Sequence, residues 1–396
     1  MGSLLGSYFI YMTPLFAHFK FYFNNAHSRI LGLLFVANSF VFGNWVARIP
    51  DIKESIGLTD AALGMGLLGA PLGSILVMPF TGWLVSSMGL GRSLYLFSAL
   101  LLLSPVMLAG ITSFNSLIVC LMYLGITEGL MGVVINAAAN GVERKLERPI
   151  MSTCHGMWSL GAMIGAALGS IIVGLKIALV LHLLMISVGV LIPLLLSPKM
   201  IKMFDTLPSP EKKKGFQMPN MALLAISLAA FSIFLNEGAI ADWSAVYLRE
   251  TLKSDPYLVG MAYAGYAIFV ALGRFTGDML IPKLGKKNIV IGGGLLSAIS
   301  MSALLMLHHP WAAIAGFSLV GLGFSCIVPI LYSSAANEPG YTAESAIAVV
   351  STISFTGFFI GPPIISFISE QHGLSLVLVV GLSIIISAIG TMIQFK

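Results

Sequence analysis

Charge is what this chain has least of: Asp, Glu, Lys and Arg supply 9% of its 396 residues, where soluble domains carry about a quarter. A surface so poor in ions cannot face water over most of its area, which excludes an ordinary soluble domain. Hydrophobic residues reach 57%, and the bilayer is the solvent they require. Cysteine is scarce too. Cys120, Cys154 and Cys326 each lie in an apolar stretch without a second Cys or His at ligand spacing, so no disulfide framework, metal site or cofactor is expected. No Gly-x-x-x-x-Gly-Lys-Ser/Thr string occurs, which excludes ATP-driven pumping at the level of a motif. No extramembrane stretch exceeds about 25 residues, too little for a signalling module. An enzyme is not expected.

What the chain does have is length in apolar runs. A helix needs about 20 such residues to cross the hydrocarbon core, and division at clusters of charge, Pro and Asn yields spans at about 29–50, 60–87, 91–113, 115–141, 150–174, 177–197, 220–248, 257–282, 288–308, 311–336, 343–368 and 374–394. An even number of spans puts both termini on one side. Basic residues identify that side: one set of segments holds Lys20, Arg29, Arg92, Arg144, Lys145, Arg148, Lys199, Lys202, Lys212, Lys213, Lys214, Lys283, Lys286, Lys287 and Lys396, the other only Arg48, Lys53, Lys176, Arg249 and Lys253. The bias predicts cytoplasmic termini in a multi-pass inner-membrane protein. It also accounts for the net charge of +5 without a nucleic-acid partner. Residues 1–28 lack a basic n-region and a cleavage site, and read as an interfacial leader.

The longest polar stretch, with Glu211-Lys-Lys-Lys214, follows the sixth span. It predicts a six-helix half at 29–197, a cytoplasmic linker at 198–219 and a second half at 220–396. The halves echo each other: Asn44-Trp45 ends span 1 and Gly64 and Gly82 bracket span 2, as Asp242-Trp243 ends span 7 and Gly260 and Gly277 bracket span 8. Two six-helix repeats in an all-α membrane protein are the major facilitator arrangement, with substrate bound near the midplane between rocking halves. Small-xxx-small runs such as Gly161, Gly165 and Gly169, or Gly357 and Gly361, predict close helix packing.

Particular strings narrow the class. Gly82-Trp-Leu-Val-Ser-Ser-Met-Gly89 followed by Arg92 is similar to the superfamily's loop motif between spans 2 and 3, with Ser86-Ser87 where an Asp-Arg pair is usual. Gly273-Arg-Phe-Thr-Gly-Asp278 with Lys286-Lys287 takes the matching place after span 8. Together with Trp45-Val-Ala-Arg-Ile-Pro50, Asn136 through Val142-Glu-Arg144, His155-Gly-Met-Trp-Ser-Leu-Gly161, Glu237 through Asp242-Trp243 and Gly361-Pro-Pro363, the chain resembles the YbjJ and MosC branch of the major facilitator superfamily, from about Ile30 to its end. Members are compared with fucose permease and with carriers of inositol-derived compounds. The resemblance implies a small polar organic solute moved with protons.

An ionisable group at the bilayer centre costs about 2.5 to 3.5 kcal/mol on insertion scales, which makes each one a functional candidate. Glu128 lies about 20 Å from the outer end of span 4 at 1.5 Å per residue, near the midplane. It is the first choice as proton carrier, against a helix-helix hydrogen bond. In related proteins the acid often stands one turn later, where this chain has Gly132. Asn136 and Asn140 share a face of the same helix and suit either substrate hydroxyls or interhelical packing. Asn38, Trp45 and Arg48 follow one stripe of span 1, with Trp45 either a stacking platform or an interfacial anchor. Glu237 and Asp242 stand about 140° apart around span 7. The deeper Glu237 is the second proton-coupling candidate, and Asp242 suits a solvated rim or a gate pair with Arg48. His155 and Trp158 open span 5 as substrate ligands, against a packing role for the histidine. Arg274 and Asp278 have the spacing of a helical ion pair, structural or at a gate.

The leading expectation is proton-coupled uptake of a sugar, polyol or related solute by alternating access. The expected partners are that small-molecule substrate, protons and membrane lipids, and the expected state is a monomer. The alternative is an efflux antiporter, for which the 21 Met and 24 Phe would supply an adaptable pocket. Antiporters of the superfamily usually carry a Gly-Pro-rich motif in span 5, which residues 150–174 lack.

Overall fold

The computed structural model describes residues 19–148, 150–195, 203–207, 218–341 and 343–372. The leader up to residue 18, most of the expected linker and the expected twelfth span lie outside the described residues. In lipid every backbone N–H and C=O must be satisfied within its own segment, so long apolar runs fold as helices. Those described are α1 Ala26–Ser55, α2 Asp60–Leu67, α3 Gly69–Met88, α4 Leu90–Ala109, α5 Phe114–Leu146, α6 Met151–Gly174, α7 Leu179–Leu195, α8 Met221–Val246, α9 Met261–Leu284, α10 Lys286–Leu307, α11 Pro310–Phe324, α12 Ile327–Ala335 and α13 Ala343–His372. Among the described residues ten helical stretches are long and apolar enough to cross a membrane. Their outward sides bare large apolar groups such as Trp83, Ile299 and Met306.

Helix starts are set by side chains that accept from the free N–H groups of the first turn. Asn25 Oδ1 accepts from Ser28 (3.1 Å), Asn220 Oδ1 accepts from Leu223 (2.8 Å), and Ser113 with Ser116 forms a capping box. Two starts are capped by carboxylates from outside the helix they begin. Glu143 Oε1 accepts from the N–H groups of Ile150 and Met151 at 2.6 and 2.8 Å, and Asp205 Oδ1 from that of Gly91 at 2.8 Å. Each places negative charge at the positive end of a helix dipole. Asp205 does so beside the loop whose usual Asp-Arg pair is replaced by Ser86-Ser87.

Both motif loops reduce to one glycine. Gly89 (φ 86°, ψ 155°) ends α3 and begins α4, and Gly285 (φ 78°, ψ 147°) does the same for α9 and α10. A side chain is strained in that backbone conformation, so glycine is what permits the reversal without a longer loop.

Two expected spans differ from single helices. Span 2 divides at Leu68 into α2 and α3, and span 10 divides at Ser325-Cys326 into α11 and α12. At the second break Ser325 Oγ donates to Leu322 O (2.7 Å) and Cys326 Sγ donates to Gly273 O (3.2 Å). Such side-chain bonds compete with the helical ladder. At the first break α3 turns onto α5 so closely that a Cβ on Gly73 would stand 2.1 Å from Met122 O.

The tightest seam joins α1 to α6. A Cβ on Gly165 would stand 2.4 Å from Phe40 O, one on Gly161 2.4 Å from Val36 O, and one on Gly43 2.3 Å from Ala162 O. Gly165→Val is therefore expected to lose at least about 1–3 kcal/mol through overpacking, seen as aggregation in size-exclusion chromatography of the purified protein; an unchanged elution profile would contradict the seam. Contacts between the two repeats also use glycine: Gly64 meets Ser366 and Pro362 of α13, and Gly260 meets Ala166 of α6, where added Cβ atoms would lie 2.3 and 2.5 Å from the nearest atoms. These glycines hold the corresponding positions noted in the two repeats.

Candidate functional site

Near the middle of the bundle polar side chains of α1, α5 and α6 meet those of α8 and α9. Asn38 Nδ2 donates to Glu128 Oε2 at 2.8 Å, and Trp158 Nε1 donates to Asn38 Oδ1 at 3.1 Å. The asparagine amide is thereby fixed in one orientation, donor toward the acid. The other oxygen, Glu128 Oε1, is buried with no hydrogen-bond partner. Buried polar groups are rarely left so, and a proton or a ligand donor is what this oxygen lacks. On the facing helices Tyr266 Oη donates to Glu237 Oε1 at 3.0 Å, and Arg274 Nη1 donates to Ser159 Oγ at 3.1 Å. Tyr263 lies within electrostatic reach of Glu128, Glu237, Asp242 and Arg274. Its ring stacks on Tyr266 and takes the edge of Phe42, which packs in turn on Trp158 at centroid distances of 6.0 to 6.2 Å. The structure thus brings Asn38, Glu128, Trp158, Glu237, Asp242 and Arg274 around one aromatic-walled centre. His155 stands beside it, its carbonyl facing Arg274 and its ring against Phe35 at 5.5 Å.

Other sequence candidates fall elsewhere. Trp45 is 2% exposed and sits in the packed core, where neither a stacking platform nor an interfacial anchor is free to act. Asn136 Nδ2 donates to Gly132 O of its own helix at 2.8 Å, and Asn140 is exposed. The Asp278 side chain lies outside the described residues. Of the two roles open to Asp242, the gate pair with Arg48 is not formed: Arg48 Nη1 pairs with Asp51 one turn along its own helix, while Asp242 lies within electrostatic reach of Tyr263. At i+3 a helical neighbour is within reach without any movement of the repeats.

That pairing belongs to a polar network at one end of the bundle. Asp51 also receives Arg249, Arg249 Nη2 reaches Glu54 at 2.6 Å, and Lys53 Nζ bridges Asp60 and Glu250 at 2.5 Å each. Ser170 Oγ adds a neutral bridge, donating to Tyr257 O (2.6 Å) and accepting from Gly260 N–H (3.0 Å). These contacts join the two repeats beside a cleft of about 480 Å³ lined by Arg48, Asp51, Lys176 and Arg249. Behind it runs a buried chain: Arg48 Nε donates to His182 Nδ1 (2.8 Å), His182 Nε2 meets Asn44 Oδ1 (2.9 Å), and Arg48 Nη2 donates to Ile177 O (2.7 Å). Since arginine only donates, His182 Nδ1 is the acceptor and Nε2 carries the proton. Sequence reasoning missed His182, although it is the one ionisable residue between 177 and 197. An ionisable group inside a span was the available signal.

A polar centre where the repeats meet and ionic contacts between the repeats at one end suit a rocking carrier. The family model of the Major Facilitator Superfamily matches residues 30–226 and again 222–395. The chain belongs to the Major Facilitator Superfamily. An uncharacterized MFS-type transporter of Yersinia pestis is 35% identical over 331 residues, covering 84% of this chain and 86% of that one. The membrane protein MosC of Rhizobium meliloti is 28% identical over 360 residues, covering 89% and 86%. Among solved structures a D-xylose-proton symporter superposes with a TM-score of 0.71 at 14% identity, over 91% of this chain and 97% of that one. This superfamily member is a multi-pass membrane transporter of a small molecule and not an enzyme, in line with the relatives' names.

Proposed function

We propose that the protein carries a small polar organic solute, a sugar, polyol or related compound, across the cytoplasmic membrane by proton-coupled alternating access. The observation that carries this reading is the arrangement at Glu128: a carboxyl group at mid-depth, held on one oxygen by Asn38 and left without a partner on the other. Such a group can take a proton from one side and release it to the other as access alternates. Glu237, tied to Tyr266, is the second acid in reach. The rings of Phe42, Trp158 and Tyr263 supply flat walls for the apolar face of a sugar ring, and Asn38, His155 and Arg274 supply polar contacts. Likeness to MosC supports the YbjJ and MosC branch. The basic-residue bias supports cytoplasmic termini, and the reading takes the protein as a monomer with halves at 29–197 and 220–396 joined by the linker 198–219. The network of Asp51, Lys53, Arg249 and Glu250 is then the outer gate, here closed.

Thermal shift of the purified protein against sugars, polyols and amphipathic drugs tests the substrate class. A true substrate at 100 times its Kd stabilises by about 2.7 kcal/mol, and a response confined to apolar drugs would overturn the reading in favour of efflux. The gate has its own test. Arg249→Ala removes both Asp51 and Glu54 contacts, and is expected to raise several-fold the labelling rate of a Ser170→Cys probe by an impermeant thiol reagent added outside. Both pairs are partly open to water, so each contributes only about 0–1 kcal/mol, and the several-fold change is the sum of the two. An unchanged rate would dismiss these pairs as a gate.

A further inference from the structure

We propose that His182 is a proton-binding site that keeps the outer gate latched while neutral and releases it when protonated, an inference that rests on the gate reading above. The proposal starts from hydrogen-bond direction. His182 is fully buried, and each ring nitrogen has one committed partner: Arg48 Nε–H points at Nδ1 and Asn44 Oδ1 faces Nε2. Asn44 is oriented for this, because its Nδ2 donates to Phe40 O at 2.8 Å and leaves Oδ1 to accept. Only the neutral imidazole with its proton on Nε2 satisfies all of these bonds. A proton added to Nδ1 removes the acceptor that Arg48 Nε requires and sets two cations against each other at hydrogen-bond distance.

The consequence reaches the gate because Arg48 has a fixed place in it. With Nε on His182 and Nη2 on Ile177 O, the guanidinium presents Nη1 to Asp51, and Asp51 shares its other oxygen with Arg249 of the second repeat. Loss of the histidine bond frees Arg48 to turn toward the cleft it already lines, and Asp51 loses the side chain that holds it toward Arg249. The charged groups around His182 are few. Helix α1 presents Arg48 and Asp51, the cleft adds Lys176 and Arg249, and α7 contributes none besides the histidine itself. On α4 the titratable residues Arg92 and Tyr95 lie at its opposite end. Arg48, 4% exposed, stands between the cleft and the ring, so a proton reaches the ring when Arg48 swings. His182 is a positioning residue in this scheme and need touch no substrate.

The test uses the full-length chain in proteoliposomes, with Ser170→Cys as the gate probe and an exposed Thr112→Cys as the reference that corrects for the pH dependence of thiol reactivity. The native cysteines are all buried. Acidifying the outside is expected to raise the corrected labelling rate at least about tenfold, a shift of about 1.4 kcal/mol. His182→Gln can accept from Arg48 and donate to Asn44 but takes up no proton; its rate should stay low at every pH, with His182→Asn as substitute where the Gln variant does not fold. A wild-type rate independent of pH overturns the proposal. So does a pH response that persists in the variant, which would assign the release to Asp51, Glu54, Asp60 or Glu250. Arg249→Ala separates the premise from the proposal: if it leaves labelling unchanged at alkaline pH, the gate reading fails first.

Discussion

Glu128→Gln is expected to reduce the accumulation ratio of substrate to unity while leaving exchange of internal for external substrate within a few-fold of the wild type. The glutamine keeps the side chain's length, and its amide oxygen still accepts from Asn38 Nδ2, so the Asn38–Trp158 chain survives. What disappears is a group able to change charge as the cavity switches sides. On the proposed reading, a carrier without it equilibrates its solute and no longer couples that movement to the proton gradient. Paired measurements of uptake under an imposed pH gradient and of counterflow separate the two functions. Continued accumulation by the variant would move the coupling role to Glu237, whose oxygen is held by Tyr266. Loss of both uptake and counterflow would make Glu128 a binding residue.

Arg48→Met carries the largest expected stability effect. It strands His182 Nδ1, Ile177 O and one oxygen of Asp51 at a position almost closed to solvent. Breaking a buried ion pair by removing one partner costs about 3–5 kcal/mol, and each stranded acceptor adds to it. A marked fall in melting temperature in detergent is the measurement. Arg48→Lys is expected to restore less than half, because a single ammonium cannot span three acceptors that a planar guanidinium meets at once. Full restoration by lysine would mean that charge alone matters there.

The spans were legible because lipid leaves the chain few options: uninterrupted apolar runs had to become helices, and α1, α5 and α6 fall close to where hydropathy placed them. Glu128 was legible for the same reason, as an acid in an apolar run. Asn38 and Trp158 were legible as candidates, although their bonds to Glu128 and to each other join residues 90 and 120 positions apart. The ionic network between the repeats was not. Asp51 and Arg249 are separated by 198 positions; the basic-residue bias puts Arg48, Lys53 and Arg249 at one end of the bundle, but nothing in the sequence says which acid meets which base there. Of the two roles open to Asp242, the pair with Arg48 is not the one formed here, because Asp51 stands one turn along the arginine's own helix and spacing gives helix rotation only to within tens of degrees. The break at Leu68 was hidden by a sequence that is apolar on both sides of it.

Gly64 and Gly260 have a meaning beyond close packing. Each stands where one repeat presses on the other, with room for a hydrogen and none for a methyl group. On the gate reading proposed above, those neighbours withdraw when the gate parts and the space appears. A methyl group at either position would therefore act as a doorstop, penalising one end state of the transport cycle and sparing the other. By the repeat symmetry the chain has two such stops, one at each of two seams between the repeats.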